Sequence, residues 1–265
     1  MSFTYRTEAL IIRRKPFREA DRLIVVLTPD RGKLELIARG AAKMRSKLAA
    51  HLEPFLHTQL LIAQGKSYDT VAASTVRHRF NALSQSLVRK AWADYTAELL
   101  EHVIQVRQAD PMIFNLTYST WQQFERLAVT KKRDYYHGFL FLVAFVIKLM
   151  SRIGYQPSLH RCVICQRRLQ PDGNTYYFSL GGIVCQRCQA ASARSGSHLA
   201  ISGAAIRTLR YVLRQTYASI GKLRVSVDQL AEVKSFIDKF VTYHTEYTPQ
   251  SQRFVTWLLR RKPTV

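Results

Sequence analysis

Acidic residues are scarce in this sequence. Asp and Glu number 18 against 40 Lys and Arg in 265 residues, which gives a formal net charge of +22. A chain with such an excess repels itself, and it is usually tolerated because the partner is a polyanion. An anionic membrane is the rival partner, but the sequence has no long basic amphipathic helix with a Trp and Leu face. The shortage of carboxylates therefore favours nucleic acid as the partner.

The basic excess is concentrated in two parts of the chain. Residues 1–80 carry 15 basic and 7 acidic side chains, and residues 159–224 carry 10 and 1. A merely solvated surface would spread its charge more evenly. Both segments are therefore candidates for contact with nucleic acid.

Long apolar runs are also missing. The most apolar stretch, "FLFLVAFVI" at 139–147, is too short to span a bilayer and is interrupted by Lys148. The N-terminal sequence lacks the basic region, apolar stretch and cleavage site of a signal peptide. These absences predict a buried helix in a cytoplasmic protein that does not contact the membrane.

Recognisable catalytic motifs are absent as well. The sequence has no His-Glu-x-x-His, Gly-x-Ser-x-Gly or Gly-x-Gly-x-x-Gly pattern. The segment "QGKS" at 64–67 looks like the end of a phosphate-binding loop, but Leu60 stands where that motif needs Gly, and a strand pattern follows. We interpret it as a β-turn, and we expect a binding protein and not an enzyme.

Cysteine is rare, and all four cysteines lie in two Cys-x-x-Cys pairs: Cys162 with Cys165, and Cys185 with Cys188. The spacing between the pairs falls within the range of a four-cysteine zinc site. Two disulfides would suit a secreted protein, and a redox motif needs only one pair. A site with four thiolates is closed to water, so we predict one structural zinc ion per chain.

The first 80 residues have strand-like patterns separated by turn residues. Five strands are predicted, at 8–14, 21–28, 33–40, 55–63 and 68–78. Five short strands in so small a span favour an OB-fold barrel, and an SH3-like barrel is the alternative.

After residue 80 the apolar spacing becomes helical. One helix is predicted from about residue 83 to 103, and Asp110, Ser202 and Asp228 are the predicted N-caps of later helices. The fold class is therefore α+β. We predict a DNA-binding OB-fold at 1–80 and an all-α helical domain at 81–265, with an inserted zinc site at about 159–195.

Unpaired cations follow the predicted second and third strands, where an OB-fold usually binds oligonucleotides. The candidate nucleic-acid-binding residues here are Lys33, Arg39, Lys43, Arg45 and Lys47. Aromatic residues in or near the barrel loops could stack on bases, although core packing is the alternative for each: Phe3, Tyr5, Phe17 and Tyr68.

A second candidate surface lies in the other basic segment. Arg207, Arg210 and Arg214 recur at helical spacing, so they are predicted to share one face. The alternative is that they form only a solvated stripe.

Several segments together resemble the bacterial RecO family of recombination mediators. They are "EALIIRR", "READRLIVVLTPDRGKLELIARGAAK", "LEPFLHTQLLI" and "FSLGGIVCQRC", and their order and spacing agree over almost the whole chain. The resemblance implies an N-terminal OB-fold and a helical domain that often carries a zinc site.

The same resemblance implies a function. RecO proteins bind single- and double-stranded DNA and anneal complementary strands. With RecR they help to load RecA onto strands coated by single-stranded DNA-binding protein (SSB), whose C-terminal tail is an expected contact. The DNA-binding role carries over to Arg39, Lys43, Arg45 and Lys47, and the family offers no catalytic residues. Such a protein would be cytoplasmic and associated with the nucleoid when bound to DNA.

Two other classes stay open. An RNA-binding or ribosome-associated zinc protein would prefer structured RNA and would not anneal DNA. A nuclease or deaminase would need an acidic metal cluster or a His/Glu site, and residues 159–224 offer only Asp172.

Overall fold

The computed structural model describes residues 3–46, 48–192 and 196–260. Within these ranges the chain forms two compact units. The first contains the residues up to Thr130 together with the segment that starts at Pro249, and the second runs from Lys131 to Thr248.

The N-terminal sheet has five strands, as predicted from the sequence. They are β1 (Thr4–Pro16), β2 (Arg22–Thr28), β3 (Gly32–Ala38), β4 (Leu56–Ala63) and β5 (Asp69–Arg79). β1 pairs antiparallel with both β2 and β4, and the strands follow one another in the order β1-β2-β3-β5-β4. A short parallel seam closes the sheet, with Leu36 opposite Asp69 and Ile37 opposite Thr70. This OB-like topology confirms the predicted fold class.

Alternating apolar residues fill the inside of this sheet. Along β4, every second residue from Leu56 is buried, and Leu60 and Ile62 are fully buried. Because side chains alternate between the two faces of a strand, this pattern places one face on the core and leaves the other face for solvent or a ligand.

The remaining chain is mainly helical. The helices are α1 (Asn81–Gln85), α2 (Leu87–Val103), α3 (Pro111–Arg126), α4 (Lys132–Arg152), α5 (Gln189–Ser192), α6 (Gly203–Arg214), α7 (Tyr217–Ile220), α8 (Val227–Thr245) and α9 (Ser251–Arg260). A three-stranded sheet lies between α4 and α6 in the sequence, with strands β6 (Asn174–Tyr177), β7 (Gly182–Val184) and β8 (His198–Ile201).

Two of the three predicted helix N-caps are found in the structure. Asp110 and Ser202 cap α3 and α6, as predicted. The prediction that Asp228 caps α8 was wrong, because Ser226 is the N-cap of this helix. Its side chain accepts a hydrogen bond from the Gln229 backbone N–H, and the Gln229 side chain accepts one from the Ser226 backbone N–H, which forms a capping box. Asp228 lies in the first turn of that helix instead.

The predicted single helix over residues 83–103 is in fact two. Ser86 has extended backbone angles, and its side chain accepts a hydrogen bond from the Arg89 backbone. It therefore ends α1 and caps α2, which is a frequent role of serine and one that apolar spacing does not reveal.

Helix α4 is the central helix of the second unit. Its apolar stretch from Phe139 to Ile147 is almost completely buried, and Gly154 follows it with φ of +104°. Among the described residues it is the one helix long and apolar enough to cross a membrane, but 72% of its apolar window is buried inside the protein. This burial agrees with the predicted core helix.

The contacts divide the chain at a different place from the change in secondary structure. Strands give way to helices between Arg79 and Asn81, close to the predicted domain boundary. The segment between α2 and α3 is nevertheless hydrogen-bonded to the barrel, because the Arg107 backbone N–H donates to the Lys33 carbonyl at 2.9 Å. Gly32 also lies so close to this segment that a Cβ atom there would be 2.0 Å from the Gln108 carbonyl oxygen. The first three helices therefore belong to the same compact unit as the barrel.

Candidate nucleic-acid interface and metal centre

A basic cleft of about 430 Å³ opens on the barrel. Three separate segments contribute to it: the β1–β2 loop, the end of β3 and the β4–β5 loop. Each supplies one cation, namely Arg18, Arg39 and Lys66, and Asp21 is the one carboxylate in the lining. The β1–β2 and β4–β5 loops are the two that border the oligonucleotide site of OB-folds.

Aromatic rings lie beside these cations. The rings of Phe17 and Tyr68 meet edge to face with their centroids 5.6 Å apart, and Tyr68 is 40% exposed. The Arg18 guanidinium lies 5.3 Å from the centre of the Phe17 ring. Exposed rings between cations offer a surface on which nucleobases can stack while the cations contact phosphates.

The buried side chain of Asp69 holds the β4–β5 loop by hydrogen bonds. This side chain is 3% exposed, and its carboxylate accepts from the Tyr5 hydroxyl at 3.0 Å, Arg107 Nη2 at 3.2 Å and the Gly65 backbone N–H at 3.2 Å. Burial, followed by the hydrogen bond to Asp69, raises the pKa of Tyr5 to about 12. The Tyr5 hydroxyl is therefore protonated at neutral pH and donates to Asp69 within this network.

Gly65 gives the loop its tight shape. A Cβ atom at this position would lie 2.0 Å from the Tyr68 carbonyl oxygen. Only glycine can occupy this position without moving the segment that carries Lys66 and Tyr68. The segment is a short connection with bends at 66–68, and a strand follows it, as the strand pattern after "QGKS" predicted.

The other cations predicted near the barrel lie in different surroundings. Lys33 is 8% exposed and donates to the Glu101 carbonyl, and burial lowers its pKa. Lys33 therefore has a partner within the protein. Lys43 and Arg45 are exposed on the connection after β3, and Lys47 lies outside the described residues.

Arg18 and Lys66 were not among the predicted nucleic-acid-binding residues. Arg18 directly follows Phe17, which was a predicted stacking residue, and Lys66 lies within the "QGKS" segment that was interpreted as a turn. In an OB-fold the β1–β2 and β4–β5 loops lie on the same side of the barrel. The predicted strand order and the positive charge of these two loops together are therefore the signal in the sequence that points to Arg18 and Lys66.

The four cysteines meet at one point, as their spacing suggested. The sulfur atoms of Cys162, Cys165, Cys185 and Cys188 all lie within 4.8 Å of one another. Cys165 Sγ and Cys185 Sγ are 3.8 Å apart, which is too far for a disulfide. A tetrahedral zinc site with Zn–S bonds of about 2.3 Å has S–S edges of about 3.8 Å, so the arrangement fits this metal.

The electrostatics of the cluster also fit a cation. Burial raises the pKa of Cys162, but backbone N–H groups of Cys165, Cys185 and Ile164 outweigh it and lower the pKa to about 6. Burial raises the pKa of Cys188, and hydrogen bonds that its S–H donates to the other three cysteines raise it further, to about 12. Without a cation the cluster therefore retains protons, and a divalent metal would release them.

Backbone contacts around the cluster hold the two cysteine pairs close together. Ser158 accepts the Ile183 backbone N–H at 3.2 Å, and Gly181 precedes β7 with φ of +62°. Tyr177 and Val184 pack against Cys162 in a small buried cluster. Because this core is so small, a bound metal would contribute much of the stability of the segment.

The second basic region lies on α6. Arg207 and Arg214 are exposed, whereas Arg210 directs its guanidinium to the Leu159 carbonyl, with Nε at 2.8 Å. Burial lowers the pKa of Arg210, and the charges of Arg214 and Arg207 lower it further. The three residues recur at spacings of three and four along α6, so they lie on one face of the helix. Arg210 thus connects α6 to the segment before Cys162.

Comparison with known proteins gives one consistent result. The family model "Recombination protein O N terminal" matches residues 1–80, and "Recombination protein O C terminal" matches residues 84–253. A protein of Roseiflexus sp. (strain RS-1) named DNA repair protein RecO is 34% identical over 251 residues, which cover 95% of this chain and 84% of that protein. A protein of the same name from Dehalococcoides mccartyi (strain CBDB1) is 30% identical over 254 residues, with coverage of 96% and 94%.

Proposed function

The chain belongs to the RecO family of DNA repair and recombination proteins, and on that premise we propose that it is a non-enzymatic DNA-binding protein that anneals complementary strands. It would bind single- and double-stranded DNA and, with RecR, help to load RecA onto strands coated by SSB. It would act in the cytoplasm, at the nucleoid when bound to DNA.

The basic cleft on the barrel is the observation that supports DNA binding. Arg18, Arg39 and Lys66 converge there from three segments, with the exposed ring of Tyr68 among them. Cations on rigid turns contact phosphates whatever the base sequence, and a single exposed ring accepts any base. A general DNA-binding protein needs this lack of sequence preference.

Annealing requires that two strands approach each other despite the repulsion between their phosphates. The chain has a second basic region, on α6, where Arg207 and Arg214 are exposed. If each region holds one strand by its phosphates, the bases remain free to pair. No nucleotide hydrolysis is needed, because the cationic surfaces themselves lower the repulsion.

The cysteine cluster supports a structural zinc ion held by Cys162, Cys165, Cys185 and Cys188. Four thiolates saturate the metal, so it would stabilise the insert and take no part in chemistry.

The test is a fluorescence assay that follows the annealing of two complementary oligonucleotides. We expect the rate to rise and then fall with protein concentration, because excess protein coats each strand separately. The rate should drop at high salt and be indifferent to ATP. Coating the strands with SSB tests the mediator role, and the addition of RecR should then increase RecA loading.

The charge-reversal variant Arg18→Glu/Arg39→Glu/Lys66→Glu should lose annealing activity together with single-strand binding. Normal annealing by this variant would refute the assignment of the cleft. Binding only to structured RNA, with no DNA annealing by the unmodified protein, would favour an RNA-binding zinc protein instead.

A further inference from the structure

The zinc insert is firmly attached to α6 at two points. The first is the hydrogen bond from Arg210 Nε to the Leu159 carbonyl, at 2.8 Å, which a second guanidinium nitrogen also reaches. The second is the bond from the Gly203 backbone N–H to the Pro171 carbonyl at 2.9 Å. A Cβ atom at Gly203 would be 2.5 Å from the Pro171 carbonyl oxygen, so the helix start and the insert are in direct contact. The insert and α6 therefore present a common surface.

Arginines of the insert are held side by side. Arg161 and Arg168 face each other across an isolated antiparallel bridge, and both are exposed. Like charges directly opposite each other destabilise a strand pair. Arginines near a cysteine cluster can serve to neutralise its thiolates. Arg161 instead donates to the Gln166 carbonyl at 3.1 Å, so neutralisation of the thiolates does not explain why Arg161 lies opposite Arg168.

His160 connects this pair to the arginines of α6. His160 lies between Arg161 and Leu159, whose carbonyl accepts from Arg210 Nε at 2.8 Å, so the chain brings the Arg161–Arg168 pair close to α6. In the part of the chain that the structure describes, Arg168, Arg207 and Arg214 form no ion pair. Asp172 is the sole acidic residue between 159 and 224. A dense group of cations without counter-charges costs free energy in the isolated protein, and a bound polyanion would remove this cost.

We propose that the zinc insert and α6 together form a second phosphate-binding surface, with Arg161, Arg168, Arg207 and Arg214 as its contacts to a nucleic-acid backbone. Arg210 is a positioning residue that holds the insert in place. The cysteine cluster keeps the Arg161–Arg168 pair in register. This inference rests on the proposed DNA-binding function and extends it to the zinc insert, which thereby becomes part of the strand-binding surface.

The experiment measures capture of a second strand. A single-stranded oligonucleotide is attached to a surface and saturated with protein, and a fluorescent non-complementary strand is then added. The variant Arg168→Gln/Arg214→Gln should bind the first strand within about twofold of the unmodified protein, but capture at least about fivefold less of the second. The slope of log capture against log salt should become shallower by about 1.4, because each lost contact to a single strand removes about 0.7.

Two further variants make the outcome decisive. Lys222→Gln/Arg224→Gln removes the same charge from exposed positions outside the surface and should leave capture unchanged. The variant Arg207→Gln/Arg214→Gln changes only residues of α6, and it should also reduce capture of the second strand. It therefore tests the surface even if Arg168→Gln loosens the insert. The zinc content of each variant shows whether the insert is intact.

Equal loss in the Lys222/Arg224 control, or unchanged capture in both test variants, would overturn the inference. In that case first-strand binding by the unmodified protein would still support the proposed function. A failure of first-strand binding itself would refute the proposed function separately.

Discussion

The buried carboxylate of Asp69 accepts the backbone N–H of Gly65 at 3.2 Å. This bond spans the β4–β5 loop from its second residue to the start of β5, and Lys66 and Tyr68 lie between its ends. The side chains that line the basic cleft on this side are therefore positioned by a residue that does not itself line the cleft.

Replacement of Asp69 by Ala should weaken both the fold and DNA binding. It leaves the Tyr5 hydroxyl, the Arg107 guanidinium and the Gly65 N–H without their acceptor, and an unpaired buried group costs about 1–3 kcal/mol. We expect a lower urea midpoint and weaker single-strand binding. Asp69→Asn, which retains an acceptor for Gly65, should recover more of the DNA affinity than of the stability. Equal DNA affinity of Asp69→Ala and the unmodified protein would show that the loop does not depend on this bond.

Charge reversal in the cleft should weaken binding to many DNA sequences alike. The variant is Arg18→Glu/Arg39→Glu/Lys66→Glu, and its control is Lys131→Glu/Lys132→Glu/Arg133→Glu, which changes net charge equally at the start of α4. Acidic residues are well tolerated at a helix N-terminus. We expect the first variant to lose binding at moderate salt and the control to retain most of it, as measured by fluorescence anisotropy. Similar losses would mean that net charge, and not the cleft, determines affinity.

Cys185→Ser should release the metal and loosen the insert at about 159–195. The remaining three thiolates cannot close the tetrahedral site, and the small cluster around Tyr177 has little core of its own. We expect elemental analysis to find about one zinc ion per unmodified chain and much less in the variant. Circular dichroism should show the helices largely retained. Absence of zinc from protein purified without chelator would contradict the predicted metal site.

Glu101 should make stability depend on acid pH. Burial raises the pKa of Glu101, but Lys15 and Arg13 outweigh burial and hold it below its usual value of 4.5. Its stabilising contribution is therefore present above pH 4.5 and is lost as pH falls towards the folded-state pKa. Glu101→Gln should cost about 1 kcal/mol at pH 7, a modest figure because Arg13 and Lys15 are partly exposed.

Urea unfolding of Glu101→Gln and the unmodified protein at a series of pH values checks this. The two stabilities should converge as pH is lowered through 4.5. A difference that stays constant from pH 7 to acid would show that the ion pairs with Arg13 and Lys15 do not contribute.

The sequence by itself determined the five strands, the helical remainder and the meeting of the four cysteines. These features depend on local patterns: alternation of apolar residues, helical spacing, and a Cys-x-x-Cys turn that directs two sulfurs to one point. The same patterns located the two basic regions, because charge excess is a property of composition.

Tertiary structure decided which cations are free. Lys33 and Arg210 look like Arg39 and Arg214 in the sequence, yet Lys33 donates to the Glu101 carbonyl and Arg210 to the Leu159 carbonyl. Conversely, Arg18 and Lys66 are 48 positions apart in the numbering but line one cleft. Burial and partners of a charged side chain depend on residues distant in the chain, so composition indicated that the protein is basic and only the fold showed which cations line one cleft.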